Sequence, residues 1–464
     1  MSEPSLLGDR LPRRRSTKPP GPSSRYPGQF LVTLATDKLA LFGKMARNGD
    51  VSQIMIGPKR VALLSHPDDI QVMLVSRQRS FVKGRALEAT KVLLGEGLLT
   101  SEGEHHLRQR RLIQPAFHKE RLVSYGASMT ELADRLQQGW HANERLDVHE
   151  QMMRVTLAIA GRTLFDADVD RDAHDVAEAL ELSLRMFNHA ILPMGMLLEF
   201  APIPWVRKLH RARRRMDALI HRLIEERRAE ARDRGDLLSL LIEARDDEGD
   251  HTGMSDKQLR DELITLMLAA HETTANALTW TWYLLSQNPA AEATLHAELD
   301  TVLGGRLPTA ADLPLLPYTR QVLAESMRIY PPAWAVERRA LEDVEIGGYT
   351  ITKGTVVLAC QYFVHRDPRW WHEPERFRPE RWSEPAKDRP KFAYFPFGAG
   401  TRICIGEHFA WMEGTLVLAT IAQRWRLRYD SPAAPVPEPL VTLRPRDGLA
   451  MRLVPRRGVT AGAA

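Results

Sequence analysis

The sequence predicts a mainly α fold with a minor β part, on three observations. Helical patterning dominates from about Glu104 to Tyr330. Short β-like runs are confined to the stretches before and after it. No Pro/Ser-rich linker interrupts residues 30–455, so these read as one large domain, although 464 residues would suggest two or three. The composition, 44% hydrophobic and 27% charged, is that of an ordinary globular chain.

The chain opens on a basic segment. Residues 1–27 hold Arg10, Arg13, Arg14, Arg15, Lys18 and Arg25 against Glu3 and Asp9, so most of the net charge of +5 sits there. The remaining body is nearly neutral, and nucleic acid is not an expected partner. Six prolines in the same stretch disfavour an amphipathic targeting helix. Residues 1–25 are expected to form a flexible leader and 456–464 a flexible tail. The sequence shows no uncharged apolar run long enough to span a bilayer and no signal-peptide core. A cytoplasmic, monomeric protein is expected.

The elements follow in order. "DVSQIMIG" and "RVALLSH", joined by "GPKR", read as a hairpin. Further on, Val206, Leu209, Met216, Leu219, Ile220, Leu223 and Ile224 form one stripe of a long amphipathic helix. Ser255 to Pro289 reads as a second long helix, with a capping box from Ser255 and Gln258 and a stop at Asn288-Pro289. Its apolar middle is broken at "AAHETTAN". Ala269, Ala270 and Thr273 share a face there, leaving a hollow beside a hydroxyl, and Glu272 adds a carboxylate. A Thr hydroxyl bonded back to its own helix explains the same residues without a site. Short β runs return at "VEIGGYTI", "GTVVLAC" and "LVTLRPRDGLAMRLV", with a turn at Asp447-Gly448.

One of only two cysteines lies in "FPFGAGTRICIGEHFA". Cys404 stands just ahead of a helical pattern, whose N-terminus would lower its pKa. Gly398, Gly400 and Gly406 permit turns and close approach of a flat ligand. Arg402 offers a charge-assisted bond to a carboxylate. Three readings stay open on the loop alone: a buried inert thiol, a nucleophile beside one of 16 histidines, or a metal ligand shared with His408. A four-ligand zinc site and a covalent haem are disfavoured, because C-x-x-C and C-x-x-C-H do not occur. Cys360, in a strand pattern, reads as core. Two cysteines make no disulfide framework, and both are expected as reduced thiols.

Phe397, Gly400, Arg402, Cys404 and Gly406 resemble the F-x-x-G-x-R-x-C-x-G pattern of the cytochrome P-450 family of thiolate-haem monooxygenases. "AAHETT", "ESMR" and "FRPERW" resemble three further motifs of that family, in its order, over about residues 26–455. The resemblance implies the cytochrome P-450 fold, a single large triangular domain with a long central helix over the haem. It implies Cys404 as the iron ligand of a haem b, with Phe397, Gly398, Ala269 and Ala270 against the cofactor. Arg402 and Arg338 would bind the propionates, although Arg339 is adjacent, and His106 and Arg110 would lie on the helix at the haem edge. Glu325, Arg328 and Arg381 would form a buried structural cluster; the earlier "PERF" at Pro374–Phe377 is a decoy. Ala270 stands where the family usually has glycine, narrowing the groove above the iron.

The implied reaction inserts one oxygen atom of O2 into a hydrophobic small molecule: a fatty acid, terpenoid, steroid or polyketide. Thr273 and Glu272 would deliver protons, Glu272 linking to solvent. NAD(P)H electrons would arrive through an external ferredoxin or flavodoxin with its reductase, because no fused reductase follows. Arg108, Arg110, Arg111, Lys119 and Arg121 offer a basic docking face. Leu87–Leu99, Phe187–Pro204, Ala333–Val336 and Val441–Thr442 would approach the substrate, with Ala333, Trp334, Val336 and Val441 lining its pocket. The Met- and Leu-rich segment around Phe187–Pro204 would serve equally as a lid or a peripheral membrane contact. A peroxide-driven or non-oxygenating haem enzyme and a haem-thiolate sensor are the alternatives.

Overall fold

The structure, a computed structural model, describes residues 18–166, 204–230, 234–246, 249, 251–384 and 388–456. Helices α1 (Gln29–Thr36) and α2 (Lys38–Ala46) lead into the antiparallel hairpin β1 (Val51–Ile56) and β2 (Lys59–Leu64). Next come α3 (Pro67–Gln71), β3 (Phe81–Lys83), α4 (Arg85–Leu94), α5 (Gly103–Ile113), α6 (Lys119–Gln138), β4 (Arg145–Asp147) and α7 (Val148–Phe165). Further helices are α8 (Pro204–Glu230), α9 (Leu237–Glu243), α10 (Asp256–Gln287), α11 (Pro289–Leu303) and α12 (Pro317–Ile329). Strands β5 (Val336–Ala340), β6 (Val344–Ile346), β7 (Tyr349–Ile351) and β8 (Val356–Ala359) precede α13 (Gln361–Val364) and α14 (Glu407–Ala422). Strands β9 (Trp425–Arg428), β10 (Pro437–Pro439), β11 (Leu443–Pro445) and β12 (Ala450–Pro455) close the chain.

Helix α10 is the axis of the molecule. Its 32 residues span about 48 Å. The Ser255–Gln258 capping box is formed, and Pro289 opens the next helix where its missing N–H costs nothing. Helices α7, α8, α12 and α14 pack around α10. Trp280 pins its second half: the indole donates to Leu443 O at 3.0 Å and stacks on Tyr330 at 3.9 Å. On α8, Val206, Leu209, Met216, Leu219, Ile220 and Ile224 are buried, and Leu223 is partly so. Burying each such side chain contributes about 1.5–3 kcal/mol.

Among the described residues the β part forms a five-stranded sheet, β1-β2-β8-β5-β3, and three smaller sheets. Only the β2–β8 contact in the large sheet is parallel. The expected bounds of the leader and of the tail are corrected here. The leader does not run free to residue 25: Pro20 O accepts from Gln53 N–H at 2.7 Å, and a Cβ on Gly21 would fall 1.9 Å from Gln53 O. Extended proline-rich chain suits the open edge of β1, whose N–H groups need acceptors. At the other end, Arg456 N–H is bonded to Arg424 O, so residue 456 belongs to the folded part. Residues 1–17 and 457–464 lie outside the described residues. The Asp447-Gly448 turn does not close a hairpin, because β11 pairs with β10 while β12 pairs with β4 and β9.

Candidate haem site

The site begins with an interruption. From Leu259 to Leu268 every residue of α10 is buried; Ala269 is then exposed, and Ala270 and Thr273 are partly so. Burial resumes at Thr274. A helix through the protein centre is accessible there only if it faces an internal space. Thr273 Oγ1 lies on that face and donates to Ala269 O at 2.8 Å, the one-turn-back bond that the sequence allowed.

The cysteine loop has the same character. Cys404 is solvent-accessible, yet burial dominates its acid–base behaviour, so it too faces an interior space. Ile405 beside it and Ala270 pack against the same apolar cluster, which includes Leu98, Leu112, Ile113 and Leu266. Cys404 N–H donates to Phe397 O at 2.9 Å, and Phe397 packs on Trp411. Gly400 has φ +70°, and a Cβ there would sit 2.1 Å from Leu74 O, so no other residue fits that turn. The Gly406 N–H at the start of the following helix lowers the thiol pKa, as expected, but does not prevail. Burial pushes it up to about 11, outweighing the Gly406 N–H; Glu407 raises it further and Arg110 opposes. A bound metal cation, not the fold, would have to supply the deprotonation.

Five basic side chains converge beside the loop. Arg402 donates to Ser101 O at 2.8 Å and pairs with Glu102. Arg110, one turn after His106 on α5, donates to Ile403 O at 2.8 Å. Arg338 lies close to Arg402, whereas Arg339, on the opposite strand face, pairs with Glu88 at 2.9 Å. Lys83, not singled out from the sequence, is buried with its ammonium on Leu98 O (2.9 Å) and Ser101 O (3.1 Å). Its only sequence signal was a lysine closing a strand, "FVK", before a glycine.

Burial depresses the whole group, and repulsion from neighbouring cations adds to it at Lys83, His106, Arg338 and Arg402. Burial, then Arg402, lowers Lys83 to about 6, and Glu102 opposes. Burial, Arg402, Lys83, Arg110 and Arg338 lower His106 to about 3. Burial, then Arg402, brings Arg338 down to about 10. Such a cluster is complementary to an anion. A porphyrin carrying two carboxylates, with its iron at Cys404, fits this donor set.

The Glu325 carboxylate is closed on itself by contrast. It accepts from Arg328 Nε and Nη2 (both 2.9 Å), Arg381 Nε (2.8 Å), Trp382 Nε1 (3.0 Å) and Arg378 N (3.0 Å). Arg328 spends its remaining donors on His365 O, Pro374 O and Arg376 O. Arg376 of the first "PER" instead pairs with Glu373 at the exposed surface.

Other expected residues lie differently. Trp334 is buried against Phe42, and its indole donates to Leu440 O at 3.0 Å, so its side chain builds the N-terminal core rather than a pocket wall. Ala333, Val336 and Val441 are partly accessible. Cys360 is buried, with Sγ on Trp334 O, and burial pushes its thiol up to about 12. Glu272 does not reach solvent: it is buried and accepts from Thr442 Oγ1 at 2.6 Å. Arg108 and Arg111 are not spare docking cations. Arg111 grips Asp246 at 2.8–2.9 Å, and Arg108 holds Thr252 and Gly253. The Lys119 side chain and residues 187–203 lie outside the described residues. Cys404 and His408 gather no third His, Cys, Asp or Glu ligand among the described residues.

A mainly helical domain with an accessible cysteine loop and a central helix whose burial lapses at Ala269–Thr273 is the arrangement expected of a haem-thiolate protein. The cytochrome P-450 family model matches residues 19–450, and the chain belongs to that family. It is 40% identical to cyclooctatin synthase of Streptomyces melanosporofaciens, over 92% of each chain. It is 38% identical to cyclooctat-9-en-7-ol 5-monooxygenase of the same organism, over 87% of this chain and 86% of the relative. Pentalenene oxygenase of Streptomyces avermitilis is 33% identical, over 90% and 93%. The protein is accordingly a monooxygenase of a hydrophobic small molecule, using O2 and electrons from a redox partner. No helix among the described residues is long and apolar enough to cross a membrane.

Proposed function

We propose that this enzyme hydroxylates or epoxidises a polycyclic terpenoid, using a non-covalent haem b and electrons from a ferredoxin or flavodoxin. The observation that carries the reading is the pairing of an accessible Cys404 with an accessible Ala269–Ala270–Thr273 face inside otherwise buried structure. The names of the relatives support the substrate class.

When bound, the haem supplies oxygen activation and oxygen-atom transfer, its thiolate ligand favouring O–O cleavage. Cys404 would hold the iron, and Arg402, Arg338, His106, Arg110 and Lys83 the propionates. Thr273 holds a hydroxyl proton at the accessible face and can exchange its Ala269 bond for one to a water or ligand. Glu272 stores a proton near neutrality: burial raises it to about 7, although the Thr442 bond and Arg444 oppose. The apolar cluster around Ala270 and Ile405 excludes bulk water and suits a hydrocarbon guest.

The test is a spectral binding screen of the haem-loaded protein with terpenoid hydrocarbons and alcohols, fatty acids and macrolides. A low-spin to high-spin change confined to terpenoids is expected, followed by incorporation of one atom of labelled O2 with ferredoxin and reductase. A response to fatty acids alone, or turnover faster with peroxide than with redox partners, would replace the reading. Binding without substrate-dependent oxygen uptake would favour a sensor.

A further inference from the structure

Glu272 does not stand alone in the core. Thr442, 170 residues away and immediately before β11, donates to Glu272 Oε1 at 2.6 Å. The same hydroxyl accepts from Asn276 Nδ2 at 3.0 Å. Glu272 and Asn276 are one turn apart on α10, so a single hydroxyl ties two successive turns to the β11 segment. All three residues are at most 4% exposed. The amide N–H gives to the hydroxyl oxygen, and the hydroxyl proton goes to the carboxyl.

We infer that Thr442, backed by Asn276, is a positioning residue for Glu272, holding its carboxyl in one orientation and setting how readily it gives up its proton. A hydroxyl that donates to a carboxyl favours the carboxylate, against the burial that favours the acid. The other charged or titratable neighbours are accounted for. Arg444 on β11 favours the carboxylate and pairs with Glu438. His149 on α7 faces the Asn276 side chain, which favours its protonated form, while burial disfavours it. His271 is the preceding residue on α10. Glu413 on α14 faces Thr274, and Glu325 and Arg328 on α12 are consumed in their own cluster. Thr442 is thus the neighbour that both orients the carboxyl and tunes it.

The inference rests on Glu272 as the proton-holding group, but its test reads that proton directly. The carboxylic-acid C=O stretch of the ferric, haem-loaded protein is followed by infrared difference spectroscopy against pH, with Glu272→Gln identifying the band. Thr442→Val should raise the midpoint of the band by roughly one to two pH units, the worth of one hydrogen bond to a charged group. It should also move the band to the frequency of a more weakly bonded acid. Thr442→Ser should restore both. A band and midpoint unchanged in Thr442→Val, with only substrate affinity weakened, would make Thr442 a pocket residue and overturn the proposal. If Thr442→Val yields no haem-loaded protein, Asn276→Leu decides: a raised midpoint supports the proposal and an unchanged one overturns it. Turnover separates the two readings. Full product coupling in Glu272→Gln would remove the catalytic role of Glu272 and leave the titration result standing.

Discussion

Two regions of this protein are built from charge, and they are built oppositely. At Glu325 two arginines, an indole and a backbone N–H converge on one carboxylate, and Arg328 spends its spare donors on three carbonyls. Beside the cysteine loop, Lys83, His106, Arg110, Arg338 and Arg402 crowd together; burial depresses them all, and repulsion adds to it at every one but Arg110. The first cluster is complete without a ligand and holds the α12 end of the fold. The second is complementary to something anionic. Closed charge is architecture; unbalanced buried charge marks a binding site.

The contrast can be broken in four ways. The largest effect belongs to Cys404→Ala, which should abolish the red-shifted Soret band of the reduced carbon monoxide complex and reduce oxygenation below detection. Cys360→Ala should keep the band. Next, Arg328→Met should cost about 3–5 kcal/mol of stability in denaturant melts, with or without haem, because it strands a buried carboxylate. Smaller and of different sign, Arg338→Gln or Lys83→Met should weaken haem binding roughly tenfold, about 1.5 kcal/mol each. In the haem-free protein the same changes should be neutral or stabilising, since they relieve repulsion; destabilisation there would erase the distinction between the clusters. The last concerns Glu413, a buried acid on α14 that belongs to neither cluster. Burial raises it from 4.5 to about 8, and Thr274 opposes. Its proton is kept in the folded state and lost in the unfolded one between those values, so it makes stability fall as pH rises through that window. Glu413→Gln should flatten the decline in melts taken from pH 5 to 8; an unchanged slope would mean that the carboxyl is solvated.

The folded arrangement shows which parts of this were legible. The capped central helix, the α8 stripe and the β1–β2 hairpin follow from local periodicity and punctuation, and they appear where residue patterns put them. The cysteine loop was legible because its glycines, arginine and cysteine lie within ten residues. The choice between Arg338 and Arg339 was not, because neighbours on a strand differ only in which face their partners occupy. Trp334 read as a pocket wall, since its size is visible in the sequence and the direction of its packing on Phe42 is not. Arg108 and Arg111 read as free charge for the same reason: their acceptors lie more than 130 residues away.

What the sequence determined by itself is the set of elements and the identity of the chemistry: a thiol on a glycine-rich loop, a hydroxyl and an acid in the longest helix, and arginines enough to hold an anion. These rest on interactions within a few residues, which propensity and spacing record. Only the tertiary structure decided where each charge ends. It turned Glu272 onto Thr442, drew Lys83 into the cationic cluster and raised the Cys404 thiol. Those outcomes depend on burial and on partners brought together from distant parts of the chain, and neither is written into local order.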